Sequence, residues 1–222
     1  MKEQLQKDFD NIIKNLSLSQ RDTEIKKFYL DNFINKGFPN RRDENWKFSD
    51  LNQIIKKNIG ELSFYNDYTS TNKVDTSVFV DGLEHNKIVF INGRIEKIDF
   101  DYEEKNQIEI IDQSETTNRF NNNNSLLDLN TAFTNKSFKI LVKQGYQLKK
   151  PLIIYHTTNS NIWSKNINLR LNFEVEKFSS IRLIELFKDT SEKNFLNIFY
   201  NFELKENAVL KNYKVDKFEN KN

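Results

Sequence analysis

The sequence predicts a mainly β fold with an α-helical N-terminal region, and two observations lead to this. Apolar residues recur at three- and four-residue steps over residues 1–36, the spacing of amphipathic helices. From residue 138 onward a strand–turn–strand unit repeats roughly every 30 residues, which is typical of a stacked-repeat protein. We therefore divide the chain into a helical region (1–60), a connecting α/β segment with short strands (61–130) and a β-helix (131–222).

Two helices are predicted at the start of the chain. Apolar stripes run over residues 5–16 and 25–34, and the sequence Ser-Leu-Ser at 17–19 breaks the pattern between them. Gly37 suits the position just after a helix, and Pro39 follows where a helix cannot continue. The second helix is therefore expected to end near residue 36.

A densely charged stretch follows Pro39. We expect Trp46 and Phe48 to anchor this stretch to the core, because they are its large apolar side chains. Ser49 or Asp50 can then cap a short helix over residues 51–55.

The period changes from helical to alternating near residue 87, so strands are predicted there. Asn92-Gly93 is a strong signal for a tight hairpin turn between two such strands. The predicted elements, in order, are a polar loop (65–73), strands at 87–91, 94–98 and 108–111, an Asn-rich loop (121–124), and a short helix from Leu126 to Phe133.

Three stretches carry the repeat: residues 140–148, 173–181 and 202–210. Each has large apolar residues at its first, third and ninth positions, with two polar residues after the third. Gly145 and Asn207 hold equivalent turn positions and both tolerate a left-handed backbone. Phe178 holds the same place in the second unit, so we expect that turn to differ or to bulge.

A β-helix explains these repeats best, because each strand–turn–strand unit lacks a helix pattern. An antiparallel sandwich is the alternative, since its strands also alternate with turns. The repeat spacing is unequal: Val142 to Val175 is 33 residues and Val175 to Leu204 is 29. The aligned turn positions favour the stacked form.

Composition narrows the function classes. The chain has 34 basic and 32 acidic residues, and a net charge of +2 provides no strong field for nucleic acid or anionic lipid. It contains no cysteine, so this chain offers no thiolate for zinc or an iron–sulfur cluster. We expect a cytoplasmic protein that binds neither nucleic acid nor membrane, because no secretory or membrane-spanning pattern occurs.

Candidate catalytic residues are few, and we predict no catalytic, cofactor-binding or metal residue and no enzyme activity. His85 and His156 have no second metal-ligating residue close by in the sequence, so each is interpreted as a structural or surface histidine. Asp99, Asp101 and Glu103 alternate and could share one face, where carboxylates can bind calcium or act as acid and base. A solvated surface is the simpler interpretation.

Three segments together resemble the SufD branch of the SufB/SufD family. Gly37–Leu51 is similar to the family's N-terminal signature, through Pro39, the Arg pair at 41–42, Glu44 and Trp46. Val89–Arg94 resembles its Val-Phe-Val-Asn-Gly strand, and residues 129–152 resemble the segment that leads into its β-helix. The order of these segments matches the family across most of the chain.

The resemblance implies a right-handed parallel β-helix after an N-terminal helical region. It also implies a non-catalytic scaffold subunit of the SUF iron–sulfur assembly complex, which pairs with a SufB-like paralogue and binds a SufC-like ATPase. The cluster would be handled by the complex, with no cofactor held by this chain alone. The absence of cysteine favours SufD over SufB within the family.

Members of the family continue well beyond 222 residues, so we expect an incomplete β-helix. Their later turns carry the SufB and SufC contacts, and no contact residue is therefore transferred to this chain. The sequence leaves open whether Asn222 is a natural stop and whether this length still binds those partners. Two alternatives remain open as well: a secreted-type β-helix that binds or acts on carbohydrate, and a stand-alone binding module.

Overall fold

The structure, a computed structural model, describes residues 2–16, 18–64, 73–113, 123–158, 164–188 and 193–216. These residues form four α-helices and ten β-strands, and the strands make two five-stranded sheets. The fold is therefore mixed α/β and rich in β structure. Of the predicted loops, 65–72 and 121–122 lie outside the described residues, as does the end of the chain from 217.

The helices are α1 (Lys2–Asn15), α2 (Gln20–Lys36), α3 (Leu51–Asn58) and α4 (Ser125–Phe133). Ser19 caps α2 by accepting from the Asp22 N–H, and Asp50 caps α3 by accepting from the Gln53 N–H. Gly37 ends α2 with a left-handed φ of 74°. The predicted helix positions and caps are confirmed.

Phe48 contradicts the prediction for the charged stretch. Its side chain is 90% exposed, whereas Trp46 packs against the helical core as predicted. The Lys47 ammonium lies 5.9 Å from the Phe48 ring, so the ring contacts a cation on the surface. Trp46 alone therefore anchors this segment.

The strands alternate between the two sheets along the chain from β5 to β10. The first sheet contains β1, β7, β5 and β4 in that order with β9 beside β7, and the second has the order β10-β8-β6-β2-β3. The bounds are β1 (Ser63–Phe64), β2 (Asn86–Ile91), β3 (Arg94–Asp99), β4 (Ile108–Gln113), β5 (Ser137–Val142), β6 (Leu152–Thr157), β7 (Lys165–Val175), β8 (Ser180–Lys188), β9 (Asn194–Leu204) and β10 (Val209–Asp216).

The repeated strands pair in parallel and in the register that the sequence alignment predicts. Val142 lies beside Val175, and Val175 lies beside Leu204. Strands β2, β6, β8 and β10 also pair in parallel. An antiparallel sandwich therefore does not describe the repeats. Antiparallel pairing occurs at the other end, where β3 joins β2 and β4 joins β5.

The three tight turns between these strands share one backbone conformation. Gly145, Phe178 and Asn207 have φ values of 74°, 59° and 54°. Successive turns are hydrogen-bonded to one another, since the Gly145 N–H donates to Lys177 O and the Phe178 N–H donates to Glu206 O. The expectation that the second turn differs was wrong, because stacking against both neighbours holds Phe178 in the left-handed region.

The main core lies between the two sheets. It is built from inward-facing residues of every repeat, among them Ile140, Phe173 and Leu183, which are at most 1% exposed. The helices cover the outer face of the first sheet, and Val74, Val78, Phe79 and Val80 cover the outer face of the second. Each sheet is thus covered on both faces along part of its length, as parallel sheets require.

Polar side chains join the helical layer to the first sheet. Asn130 of α4 donates to Leu169 O and to Asn197 O at 3.0 and 2.8 Å. Buried Lys26 of α2 donates to Thr131 O and Thr134 O at the end of α4, where a cation is favourable. Burial lowers the pKa of Lys26 to about 7.

Candidate assembly surface

One end of the stack of strands β5–β10 carries two strand edges. Among the described residues, β9 pairs only with β7, and β10 pairs only with β8. The strands one repeat earlier, β7 and β8, are paired on both sides. We call the edges of β9 and β10 the open end. An edge strand presents backbone N–H and C=O groups that can pair with another chain.

The open end also exposes apolar side chains. Four apolar residues are between 46% and 56% exposed: Leu204, Val209, Tyr213 and Val215. The residues that pair with them on β7 and β8 are buried or half-buried. Val175, for example, is fully buried beside Leu204. Exposed apolar residues beside an unpaired strand edge are typical of a protein-binding surface.

A polar network lies inside the stack next to the open end. The Tyr200 hydroxyl of β9 is 2.6 Å from His156 Nε2 of β6, and it is also hydrogen-bonded to Glu185 of β8. Asn212 of β10 donates to Glu185 Oε1 at 2.8 Å. Because Tyr200 donates its single proton to the carboxylate, the Nε2–H of His156 donates to the Tyr200 oxygen. The network connects four strands of both sheets.

His156 occupies the middle of an aromatic ladder. Its ring stacks between Phe90 and Phe187, at centroid distances of 5.3 and 4.8 Å, because the three residues are in register on β2, β6 and β8. Burial, with Lys214 nearby, lowers the pKa of His156 to about 3. Burial and the neighbouring Glu185 carboxylate raise the pKa of Tyr200 well above its usual value. His156 is thus a neutral core residue.

His85 is also buried and hydrogen-bonded. Its Nδ1–H donates to Leu83 O at 2.6 Å, since a carbonyl can only accept. Nε2 then accepts from the Tyr155 hydroxyl at 2.7 Å, and that hydroxyl accepts from the Val80 N–H at 3.1 Å. These bonds hold segment 74–80 on the second sheet, and burial lowers the pKa of His85.

The three acidic residues predicted on one face have separate surroundings. Asp99 pairs with Lys87 and Lys97, at 3.3 and 3.9 Å. Asp101 is exposed, whereas Glu103 accepts from four donors and is part-buried. The simple interpretation of a solvated face is therefore wrong for Glu103. Within the described ranges, no group of three or more His, Asp or Glu side chains could hold a metal ion.

Sequence reasoning missed the pairing of His156 with Tyr200 and Glu185. Glu185 stands at an inward position of β8, between Leu183 and Phe187, which was a usable signal. A charged residue in an otherwise apolar inward row needs buried partners. The Glu185 partners Tyr200 and Asn212 lie 15 and 27 residues further along the chain, on β9 of the other sheet and on β10 of the same sheet, so no local pattern identifies them.

The fold and this surface define a β-rich mixed α/β protein with stacked parallel strands and an exposed strand edge. No protein-family model matches the chain, and a search of the curated proteins also gives no match. In the part of the chain that the structure describes, none of the helices has the length and apolar character needed to cross a membrane.

Proposed function

We propose that this protein is a non-catalytic scaffold subunit of a SUF-type iron–sulfur assembly complex in the cytoplasm. Its partners would be a SufB-like paralogue and a SufC-like ATPase, and the cluster would be cargo of the complex. The observation that carries the proposal is the open end, where β9 and β10 each have one edge without a strand among the described residues and three apolar residues of β10 are about half exposed. Such an edge can be extended by strands of a related protein.

The positions of the resembling residues support the proposal. Gly37, Gly93 and Gly145 all have φ between 74° and 78°, so the glycines of the three segments stand where the backbone requires them. The resemblance thus falls on residues that define turns of the fold.

The form proposed for the stack is a right-handed parallel β-helix. The parallel register of β5, β7 and β9, and of β6, β8 and β10, supports it. Alternation of the chain between two sheets gives the crossover connections that are right-handed in nearly all proteins.

Co-expression with SufB-like and SufC-like proteins of the source organism tests the function. We expect this chain to elute with the SufB-like protein in size-exclusion chromatography. The double variant Tyr213→Lys, Val215→Lys should weaken the complex about tenfold or more, because it places charge on the apolar edge.

Ile98→Lys is the matched control, because Ile98 is 47% exposed on β3 at the opposite end of the second sheet. This variant should elute in the complex as the wild type does. Separate elution of the wild-type chain from both partners would contradict the subunit proposal. Equal loss with Ile98→Lys would contradict the assignment of the open end.

A further inference from the structure

The connection between α2 and α3 exposes a phenylalanine ring almost completely. Phe48 is 90% exposed, and the next most exposed large apolar side chain among the described residues is Tyr213, at 56%. Trp46 of the same connection packs against the helical core, so the segment is anchored while the Phe48 ring remains in water. Burial of this ring by another molecule would release hydrophobic free energy.

A backbone hydrogen bond closes this connection into a loop. The Leu51 N–H donates to Pro39 O at 3.1 Å, so the two ends of residues 39–51 meet, and we call these residues the arginine loop. Arg41 stands two residues after one end and Phe48 three residues before the other, so the closure brings them to the same part of the loop. Compact surface loops with joined ends are frequently functional, and a fixed loop loses little entropy on binding.

The arginine loop carries three exposed cations: Arg41, Arg42 and Lys47. None of these side chains forms an ion pair or a hydrogen bond with another of the described residues, and the Lys47 ammonium lies 5.9 Å from the Phe48 ring. A guanidinium binds a carboxylate through two parallel hydrogen bonds. Both arginines therefore offer their full set of donors to an acidic ligand.

The carboxylates of the loop fix its backbone instead of pairing with its cations. Asp43 accepts from the Asn40 N–H at 2.8 Å, and Asp50 accepts from the Gln53 N–H at 3.0 Å. Such hydrogen bonds to a carboxylate offset part of its charge. Residues 37–58 contain five basic side chains, all exposed, against three acidic ones, so the loop and the helix after it favour an acidic ligand.

A second basic pair of the chain shows what kind of segment fits beside two cations and a ring. Lys149 pairs with Glu104 at 3.1 Å, and the Lys150 ammonium lies 5.8 Å from the Tyr102 ring. The sequence of residues 101–104, which supplies both partners, is Asp-Tyr-Glu-Glu. An acidic segment with an aromatic residue thus covers one basic pair within this protein, whereas the arginine pair is uncovered among the described residues.

We propose that the arginine loop binds an acidic peptide segment of a partner protein, one that carries an aromatic residue beside its carboxylates. The carboxylates would contact Arg41 and Arg42, and the aromatic side chain would pack on Phe48. A broad anionic membrane would also meet exposed Asp43 and Glu44, which a short peptide can avoid. The loop belongs to the helical region, so this binding does not depend on the open end or on the proposed assembly function.

Titration of the whole 222-residue protein with the end-blocked peptide Gly-Asp-Tyr-Glu-Glu-Gly tests the proposal. The amide resonances of Arg42, Lys47 and Phe48 should shift in a saturable way, and this shift gives a Kd. The peptides Gly-Asn-Tyr-Gln-Gln-Gly and Gly-Asp-Ser-Glu-Glu-Gly should each bind about fivefold more weakly or worse. The first lacks the carboxylates for the arginines, and the second lacks the ring for Phe48.

Two variants of the loop should weaken peptide binding. Phe48→Ser should raise the Kd about tenfold, because the peptide ring loses its apolar contact. The double variant Arg41→Gln, Arg42→Gln should raise it about fivefold, since both contacts are at the surface. All three side chains are exposed, so the amide resonances of β7 should not change in either variant, which verifies that the fold is intact.

Two matched controls lie outside the loop. Phe178→Asn removes another exposed ring, which follows Lys177 in the sequence, but there the cation is paired with Glu206 at 2.9 Å. Lys211→Gln removes an exposed cation of β10 that has no ion pair among the described residues. Both control variants should bind Gly-Asp-Tyr-Glu-Glu-Gly with the Kd of the wild type.

Five results would overturn the proposal. One is the absence of saturable shifts in the loop, and a second is equal affinity for the acidic peptide and its Asn/Gln analogue. A third is an unchanged Kd in Phe48→Ser. Tighter binding of oligothymidylate, or of vesicles with equal parts of phosphatidylserine and phosphatidylcholine, would indicate a nucleic acid or a membrane instead. Shifts of the loop resonances with protein concentration alone would indicate a second copy of this chain.

Discussion

Phe178 holds a backbone conformation that usually belongs to glycine or asparagine. Its φ of 59° matches those of Gly145 and Asn207 in the neighbouring turns, and its ring is 52% exposed. A left-handed conformation costs an ordinary residue about 1 kcal/mol or more. The exposed ring recovers little of this cost, so the middle turn of the stack stores strain in one residue.

Phe178→Asn should therefore raise the free energy of unfolding by about 0.5–1 kcal/mol, because asparagine tolerates the left-handed region. Urea denaturation measures the change. Phe178→Ala is the matched control, since it removes the ring but keeps the strain, and it should give no gain. A gain of equal size in Phe178→Ala would mean that the ring, and not the backbone, destabilises the turn.

His156 couples stability to pH. Its folded-state pKa of about 3 lies below the ordinary value of 6.5, so the unfolded chain binds the proton more readily. The contribution of His156 to the free energy of unfolding is therefore fully present above pH 6.5, and it is lost as the pH falls from 6.5 toward 3. The loss from this residue should reach about 2 kcal/mol at pH 5.

His156→Phe tests this coupling, because phenylalanine keeps the stack with Phe90 and Phe187 but cannot titrate. The free energy of unfolding, measured in urea between pH 7 and pH 5, should fall about 2 kcal/mol less in the variant than in the wild type. Parallel pH profiles for the two proteins would show that His156 contributes nothing to the acid sensitivity.

At the scale of elements, Glu103 holds two connections together. The β3–β4 connection carries the carboxylate, and the β5–β6 connection supplies the Tyr146 hydroxyl and the N–H groups of Lys149 and Lys150. Asn86 of β2 adds a fourth donor at 2.6 Å. These hydrogen bonds lower the pKa of Glu103, although its partial burial opposes them.

Glu103→Gln should destabilise the protein by about 1–3 kcal/mol, because the new amide nitrogen faces donors that need an acceptor. Asp101→Asn provides the control, as Asp101 is exposed on the same connection and should change stability by less than about 0.5 kcal/mol. Thermal unfolding at pH 7 measures both. Similar changes in the two variants would show that Glu103 affects stability only as a surface charge.

The elements themselves were largely predictable, because their signals are local. Helix caps, the Asn92-Gly93 turn and the alternation of strands all depend on neighbouring residues. The register was predictable too, since Val142, Val175 and Leu204 repeat the same pattern. Contacts such as that of Tyr200 with His156 depend on which strands meet in space, which one sequence does not encode locally.

At the scale of the whole molecule, stability should decrease toward the open end. An inner strand of a sheet is hydrogen-bonded on both edges, whereas β9 and β10 each have one neighbouring strand among the described residues. Residues of β10 are also mostly exposed, whereas those of β7 and β6 are mostly buried. Opening should therefore begin at β10 and proceed inward.

Native-state hydrogen exchange measures this order directly. Amides of β10 should exchange faster than those of β8, and β8 faster than β6, because the free energy of opening rises with distance from the edge. The paired antiparallel strands β2 and β3 provide the internal reference. Equal protection of β6, β8 and β10 would indicate a single cooperative unit and would contradict the gradient.

The hydrogen-bonded network of His156, Tyr200, Glu185 and Asn212 bears on how a repetitive chain avoids folding errors. Similar segments can pair with the wrong copy, and a displacement by one turn still matches leucine with leucine. Such a displacement would separate Glu185 from Tyr200 and Asn212 and leave a buried charge without partners, a cost far above that of an apolar mismatch. One acidic residue in the core thus penalises misaligned chains during folding and favours a single arrangement of the repeats.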